Sequence, residues 1–534
     1  MSTFFIQQFG CRATQADGAA LERQLLDRGC TPASDPASAN IVILNTCTVT
    51  AAADAQARDA IRKLHAQNPA ARLIVTGCYA QRAPEELAAL PGVSHVVGNS
   101  HKPHIPGLVT ADAAADSSAS LVVAQHAAPQ QGSQLNNTSA AVFSVDSRPS
   151  PTFFPAASLI PDSSIPFHSF SDASSVPTRA PILTGDIFAQ SHLLSAPVLG
   201  GEAGHTRPTL KIQDGCNLRC SYCVIPYVRG KSRSLSPDAV IREIDSLTSP
   251  HHTREGRVAQ ALLPVLSSSP PPQPSSPYHA REIVLSGINL GTYGRDLTPR
   301  VELLDLLRRI LNETSLDRLR LSSIEPQDVT QDLIDLFAST DRLAHHFHMP
   351  LQSGSDHILA AMHRWYRTEH YARRIELIRE RLPYAAIGAD VIAGFPGETD
   401  ADHAATCAFV ERHPFTYLHV FSYSSRPGTP AASLPQQVPP HIVKARARRL
   451  RALSDAKSAA FRRSQLGRQL RVLTLRRNLG MPADATPALS SNYVKLSVPG
   501  DYEPNRWLEL LAGPEHLAEL PANAIQEPVH TTSI

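Results

Sequence analysis

Three cysteines constrain this chain more than any other feature. Cys216, Cys220 and Cys223 lie within eight residues, as C-x3-C-x2-C, directly after a strand predicted at Leu210-Lys211-Ile212. Closely spaced thiolates are soft ligands that suit iron or zinc. Structural zinc more often pairs a C-x2-C with a second knuckle, and the chain has neither a second C-x2-C nor a His-x3-His. A 4Fe-4S cluster has four corner irons, so three protein thiolates leave one iron for an outside ligand. The bland alternative, three unligated thiols in one loop, is a poor use of so reactive a side chain.

The chain around this loop alternates short apolar runs with helical patterns. Residues 1–104 offer strands at Phe4-Phe5-Ile6, Ile41–Leu44, Leu73–Val75 and His95–Gly98. Helices are expected at Ala19–Asp27, Ala51–Gln67 and Pro84–Leu90. This alternation predicts a parallel-sheet α/β domain. Residues 207–440 repeat the pattern about six times, which predicts a partial or full (β/α) barrel with active residues at the strand C-termini. Two stretches break the pattern. Residues 105–206 and about 249–279 hold much of the 44-residue proline complement with serine and alanine, and are read as unstructured inserts. Residues 441–515 are expected to form a basic helix and a small β domain, ahead of a tail at 516–534. Between 441 and 478 twelve Lys or Arg residues face one acid, Asp455. A solvated helix face would explain a few of them; this one-sided excess favours an anionic partner.

Eight cysteines in 534 residues are too few for a disulfide scaffold. No apolar run approaches the ~18 residues of a membrane span, and Met1–Ile6 lacks the features of a signal peptide. The expectation is a cytoplasmic protein with reduced thiols and no membrane partner.

Three further cysteines each follow a predicted strand: Cys11 in Gly10-Cys11-Arg12, Cys47 in Asn45-Thr46-Cys47-Thr48, and Cys78 in Gly77-Cys78-Tyr79. Parallel strands bring their C-terminal ends to one edge, so these thiols are expected to converge as a second three-cysteine site. Cys30 and Cys407 lack such a setting and read as small buried hydrophobes. His346 and His348 alternate along one strand; with no third ligand at suitable spacing, they read as polar or packed imidazoles.

The C-x3-C-x2-C loop resembles the signature of radical S-adenosylmethionine enzymes. The surrounding words, Gly215-Cys216-Asn217 and Tyr222–Gly230 with Ser232-Arg233-Ser234, resemble the methylthiotransferase branch. Five more segments resemble that family in order: Ser286–Gly294, Leu321–Pro326, His348–Ser355, Asp390–Thr399 and Val420–Pro430. The resemblance covers most of 1–100 and 207–440 and, loosely, 441–515, whose end looks like the family's small TRAM-like RNA-binding domain. It implies two 4Fe-4S clusters, an auxiliary one on Cys11, Cys47 and Cys78 and a radical one on Cys216, Cys220 and Cys223. It further implies S-adenosylmethionine binding by Gly287, Asn289, Ser323, Glu325, Gln352 and Asp390, and RNA contacts from Arg462, Arg463 and Arg468. The implied partners are tRNA and an electron donor such as flavodoxin or ferredoxin.

The implied reaction uses two S-adenosylmethionine molecules. One methylates a sulfur held at the auxiliary cluster. The other yields the adenosyl radical, which takes hydrogen from carbon 2 of an adenine before the methylthio group moves there. The words Asn45–Thr50, Gly77–Gln81 and Ser323-Ile324-Glu325 most resemble the class acting on N6-threonylcarbamoyladenosine beside the anticodon. The alternatives within the family are N6-isopentenyladenosine in tRNA and an aspartate of a ribosomal protein. Outside it stand a zinc-containing RNA-binding protein and a non-catalytic iron–sulfur electron carrier; the latter should lack the S-adenosylmethionine loops.

Overall fold

The computed structural model describes residues 2–111, 179–191, 193–198, 206–248, 279–477 and 484–517. The first sheet is wholly parallel. It contains β1 (Thr3–Gln8), β2 (Thr31–Pro32), β3 (Ile41–Thr46), β4 (Arg72–Gly77), β5 (Val93–Gly98) and β6 (Ile182–Leu183), in the order β2-β1-β3-β4-β5-β6. Strand alternation sends Val42, Leu44 and Val75 to one face, against Ala57, Ile61 and Leu64 of the helix Ala51–Gln67. Phe4, Ile41, Ile43 and Ile74 go to the other, against Leu21 and Leu25 of α1 (Arg12–Asp27). A sheet apolar on both faces needs helices on both sides, as parallel sheets do.

The reading of 105–206 as an unstructured insert is wrong at both ends. Ile105–Ala111 is a helix whose Ile105 and Val109 enter the second of these cores. Ile182–Leu183 adds the edge strand β6, pairing Val96 with Ile182. Two apolar residues are too few to signal a strand alone; the open edge of β5 recruits them. Residues 112–178, 192 and 199–205 of the first insert, 249–278 of the second and 518–534 of the expected tail lie outside the described residues.

Six parallel strands build the barrel portion: β7 (Thr209–Lys211), β10 (Glu282–Ser286), β11 (Arg318–Leu321), β12 (His346–His348), β13 (Ala386–Ala393) and β14 (Tyr417–Ser422). β7, β10 and β11 pair in one run and β12, β13 and β14 in another. Bridges Leu319–Leu343 and Ser323–His348 join the runs, which makes the barrel partial. A short antiparallel pair, β8 (Gln213–Asp214) and β9 (Arg233–Ser234), brackets the cysteine loop. The core is aliphatic, with Ile283, Leu285, Leu307, Leu319, Ile387 and Val391 fully or almost fully buried. The helix Pro440–Arg463 lies along β14 and sinks Ala447 and Leu450 into that core.

The last sheet is antiparallel, with β15 (Gln469–Thr474), β16 (Ala485–Ser490), β17 (Lys495–Pro499) and β18 (Trp507–Leu511) in the order β17-β16-β15-β18. β16 and β18 were not legible as strands, and Tyr493, between β16 and β17, is a turn residue at φ 64°. Glu282, at the start of β10, gathers Arg207, Arg318 and Arg320. Arg318 and Arg320 then donate to the carbonyls of Leu489, Ser490 and Ser491. These contacts seat the sheet at the N-terminal ends of the barrel strands, opposite the end that carries the cysteines. Among the described residues no helix is long and apolar enough to cross a membrane.

Candidate metal centres

The N-terminal thiols converge because their strands are neighbours. β1, β3 and β4 are adjacent, with Gln8 beside Asn45 and Thr46 beside Gly77. Each cysteine follows its strand at the same edge: Cys47 directly after β3, Cys78 directly after β4, and Cys11 at the N-cap of α1. Gly10 makes this approach feasible. It sits at φ 95°, and a Cβ there would overlap the Cys47 side chain. All three thiols are buried. Thr14 Oγ1 lies 3.6 Å from Cys11 Sγ, and Asn99 Nδ2 donates to Cys78 Sγ at 3.5 Å. Burial, and then the neighbouring Cys11 and Cys78 thiols, push Cys47 up to about 12. Burial raises Cys78 too, so Cys47 and Cys78 stay protonated when the site is empty, and a metal's charge is needed to hold them as thiolates.

The barrel thiols share one loop. Gly215 turns it at φ 72°, where a Cβ would overlap the carbonyl of Lys231. The Cys216 amide donates to the Gly230 carbonyl at 3.0 Å, and the Cys223 amide to the Cys220 carbonyl at 3.1 Å. The Leu218 amide reaches Cys216 Sγ at 3.4 Å, and Arg364 Nη1 reaches Cys220 Sγ at 3.3 Å. Burial raises Cys216 to about 11; burial and the adjacent thiols also raise Cys223 well above the usual thiol range.

The two triads meet. Cys47, Cys78, Cys216 and Cys223 share one apolar cluster with Val49, Val224, Ile225 and Val228. Cys220 and Cys223 border a second, with Tyr222, Met362 and Phe395. Among the described residues, the one set of three His, Cys, Asp or Glu side chains with ligand atoms within 4.8 Å of one another is His348, Asp390 and His419.

Charged bonds join the two sheets behind the thiols. Asp17 of α1 pairs with Lys102 at 2.8 Å, with Arg229 at 3.1 Å, and with Lys211 of β7. Burial alone would raise the Asp17 carboxyl, but these cations outweigh it and hold it at about 2. Arg426, beyond β14, pairs with Asp54 and donates to Thr48, next to Cys47, where Arg82 also bonds. None of these pairings was foreseen. Arg229-Gly230 and Arg426-Pro427-Gly428 stood in family-like words, yet a lone arginine in a sequence does not reveal which carboxylate it will meet.

The other expected site residues fall into three groups. Gly287, Asn289, Ser323, Glu325 and Gln352 lie just beyond the C-terminal ends of β10, β11 and β12. Asn289 places Nδ2 4.0 Å from Cys216 Sγ. Glu325 is buried and ion-paired with Arg364, the same arginine that touches Cys220. Burial raises its carboxyl, and Arg364 offsets only part of that. Asp390 stands apart, inside β13. It bonds His348 Nε2 at 2.9 Å and lies 3.3 Å from His419 Nδ1. The reading that His346 and His348 have no third ligand at suitable spacing is therefore corrected for His348: a carboxylate and a second imidazole come from other strands of the same run, 42 and 71 residues away. His346 and His348 both bond the Tyr417 hydroxyl, at 2.8 and 2.9 Å.

Of the three arginines expected to meet RNA, Arg463 is exposed. Arg462 donates to the carbonyls of Lys495 and Leu517, and Arg468 lies 3.1 Å over the Tyr384 ring. Lys444, Arg448 and Arg449 are exposed along the same helix. Cys30 and Cys407 are buried in separate apolar cores.

Comparison with known proteins agrees with this architecture. Residues 3–98 match the uncharacterized protein family UPF0004, and residues 278–410 the radical SAM superfamily. The threonylcarbamoyladenosine tRNA methylthiotransferase MtaB of Aquifex aeolicus is 29% identical over 95% of this chain and 98% of its own. That of Bacillus subtilis is 30% identical over 85% and 81%. The tRNA-2-methylthio-N(6)-dimethylallyladenosine synthase of Syntrophobacter fumaroxidans is 31% identical over 84% and 79%. With its parallel N-terminal sheet, cysteine-bearing barrel and C-terminal antiparallel sheet, the chain belongs to the radical SAM tRNA methylthiotransferase family, transferases that work with a 4Fe-4S cluster and S-adenosylmethionine.

Proposed function

We propose that this enzyme transfers a methylthio group to carbon 2 of N6-threonylcarbamoyladenosine beside the anticodon of tRNA. Cys216, Cys220 and Cys223 would hold the radical cluster, and Cys11, Cys47 and Cys78 an auxiliary one. The observation that carries the reading is that two thiols of each triad, Cys47 and Cys78 with Cys216 and Cys223, line one apolar cluster. When bound, the clusters supply one-electron cleavage of S-adenosylmethionine at one and a seat for sulfur at the other, chemistry that no side chain provides.

The chain's own residues position and shield. Val49, Val224, Ile225 and Val228 keep water from the space between the triads, which protects reactive species from side reactions. Asn289, Ser323, Glu325 and Gln352, at the strand ends, are placed to hold S-adenosylmethionine by its polar groups, with Arg364 fixing Glu325. The exposed Lys444, Arg448 and Arg449, with Arg463, suit tRNA phosphates, which position an RNA without reading it. The target adenine must leave its stack to enter, at a cost of a few kcal/mol.

Anaerobic reconstitution followed by iron, sulfide and zinc assay tests the metal reading. About eight irons per chain are expected; about two zincs would move the chain to an RNA-binding role. Nucleoside mass analysis of tRNA from a deletion strain rescued by this chain tests the substrate. A methylthio group restored to threonylcarbamoyladenosine supports the proposal. The similarity to the dimethylallyladenosine synthase favours a second reading, and restoration on isopentenyladenosine alone would establish it.

A further inference from the structure

Arg229 stands between the triads and touches the support of both. It is almost wholly buried. Its Nη1 donates to both oxygens of Asp214, each at 3.0 Å, and Asp214 in turn accepts from the Gly215 amide at 2.8 Å, next to Cys216. Its Nη2 crosses to the N-terminal sheet, donating to Asp17 at 3.1 Å and to Thr14 at 3.2 Å; Thr14 is the hydroxyl beside Cys11 Sγ. The backbone on either side of Arg229 is tied as well. The Val228 carbonyl accepts from Asn99, whose amide also reaches Cys78, and the Gly230 carbonyl accepts from the Cys216 amide. The planar guanidinium fork holds these three groups in a fixed geometry, which a lysine's compact charge on a flexible stem does not.

The charges here do not cancel. Lys102, Lys211, Arg229 and Arg233 converge on two carboxylates, Asp17 and Asp214. Buried cations in excess call for a nearby anion. The N-terminal triad becomes one when its thiols bind metal as thiolates.

We infer that Arg229 is a positioning residue for the auxiliary centre, holding Thr14 and α1 against Cys11 while its fixed charge balances the loaded thiolates and raises that cluster's reduction potential. This rests on the cluster reading above. Groups one step removed from a metal's ligands typically change affinity or activity about 10–100-fold.

The test uses the reconstituted full-length enzyme. Iron assay of the wild type and of Cys47→Ala comes first; if both carry the same iron, the N-terminal triad holds no cluster, and the cluster reading and this inference fall together. Potentiometric titration followed by electron paramagnetic resonance then compares wild type, Arg229→Gln and Arg229→Lys. Added S-adenosylmethionine marks the barrel cluster's signal, leaving the auxiliary one identifiable. Arg229→Gln should shift the auxiliary midpoint negative and slow methylthiolation about 10–100-fold, with cleavage of S-adenosylmethionine falling by a smaller factor. Arg229→Lys should restore the midpoint and part of the rate. If Arg229→Gln does not load, Asp17→Asn decides: removing a negative charge should shift the midpoint positive. An unmoved auxiliary midpoint in the loaded variant overturns the inference while leaving the cluster reading intact.

Discussion

The two cysteine triads are built in opposite ways. The barrel triad is local: three thiols on one loop, set by a glycine turn, at 9% exposure for Cys216 and Cys220. The N-terminal triad is assembled from three strand ends spread over 68 residues, and its members are only 2–3% exposed. The assembled triad can form only when its whole sheet is folded, so its geometry is stiffer. Their charged neighbours differ too: Arg364 with Glu325 at the barrel triad, and Arg229 with Lys102 behind the other. On the proposed function, reactivity would sit on the local loop and sulfur storage at the sheet edge.

That contrast can be broken most severely at Cys216. Cys216→Ala should abolish reductive cleavage of S-adenosylmethionine, measured as 5′-deoxyadenosine released under strong reductant. Full cleavage would mean the loop is not the radical centre. Cys47→Ala should leave cleavage in place, end methylthiolation, and lose about half of the iron. A variant that still methylthiolates would show that the strand-end thiols serve another purpose.

Smaller changes sharpen the comparison. Arg364→Gln removes the cation that both contacts Cys220 and pairs with Glu325. Cleavage should fall about 10–100-fold, with methylthiolation falling in proportion because it depends on cleavage; an unchanged rate would reduce Arg364 to packing. Neutralising Lys444, Arg448 and Arg449 together should weaken tRNA binding and flatten its dependence on salt, by roughly one counterion for each phosphate no longer neutralised. Filter binding at several salt concentrations checks this, and cleavage without tRNA should not change. Least affected should be Cys407→Ser: iron content as in wild type, with stability lower by at most about 1–3 kcal/mol, because His403 Nε2, 3.5 Å from the Cys407 sulfur, is in reach of the buried hydroxyl. Loss of iron there would make Cys407 a ligand after all.

Much of this was legible in the residues. Strand–helix alternation predicted the parallel sheet and the partial barrel because buried parallel strands must be apolar runs, and such runs are short and conspicuous. The spacing of Cys216, Cys220 and Cys223 stood out because the ligands are close in sequence. Cys11, Cys47 and Cys78 were legible only through topology, since the C-terminal ends of adjacent parallel strands share an edge. The strand β6 and the helix at Ile105–Ala111 escaped because a short apolar segment gains structure only from the edge or core that receives it. β16 escaped for a related reason: Thr486-Pro487-Ala488 is weakly strand-forming and is held by its two neighbours in the sheet.

The residues by themselves therefore determined the number and kind of layers, the six thiols, and the excess of basic charge toward the C-terminus. Only the tertiary structure decided which arginines serve the site and which serve the scaffold. Arg229 and Arg364 turn inward to carboxylates beside thiols, Arg318 and Arg320 bind the last sheet to the barrel, and Arg462 is spent on carbonyls. It also decided that His348, Asp390 and His419 meet. The physical reason is common to all of these. Apolar burial follows local patterns of period two or 3.6 that a sequence displays, whereas a buried charge is settled by whichever opposite charge or carbonyl the fold brings within about 3 Å.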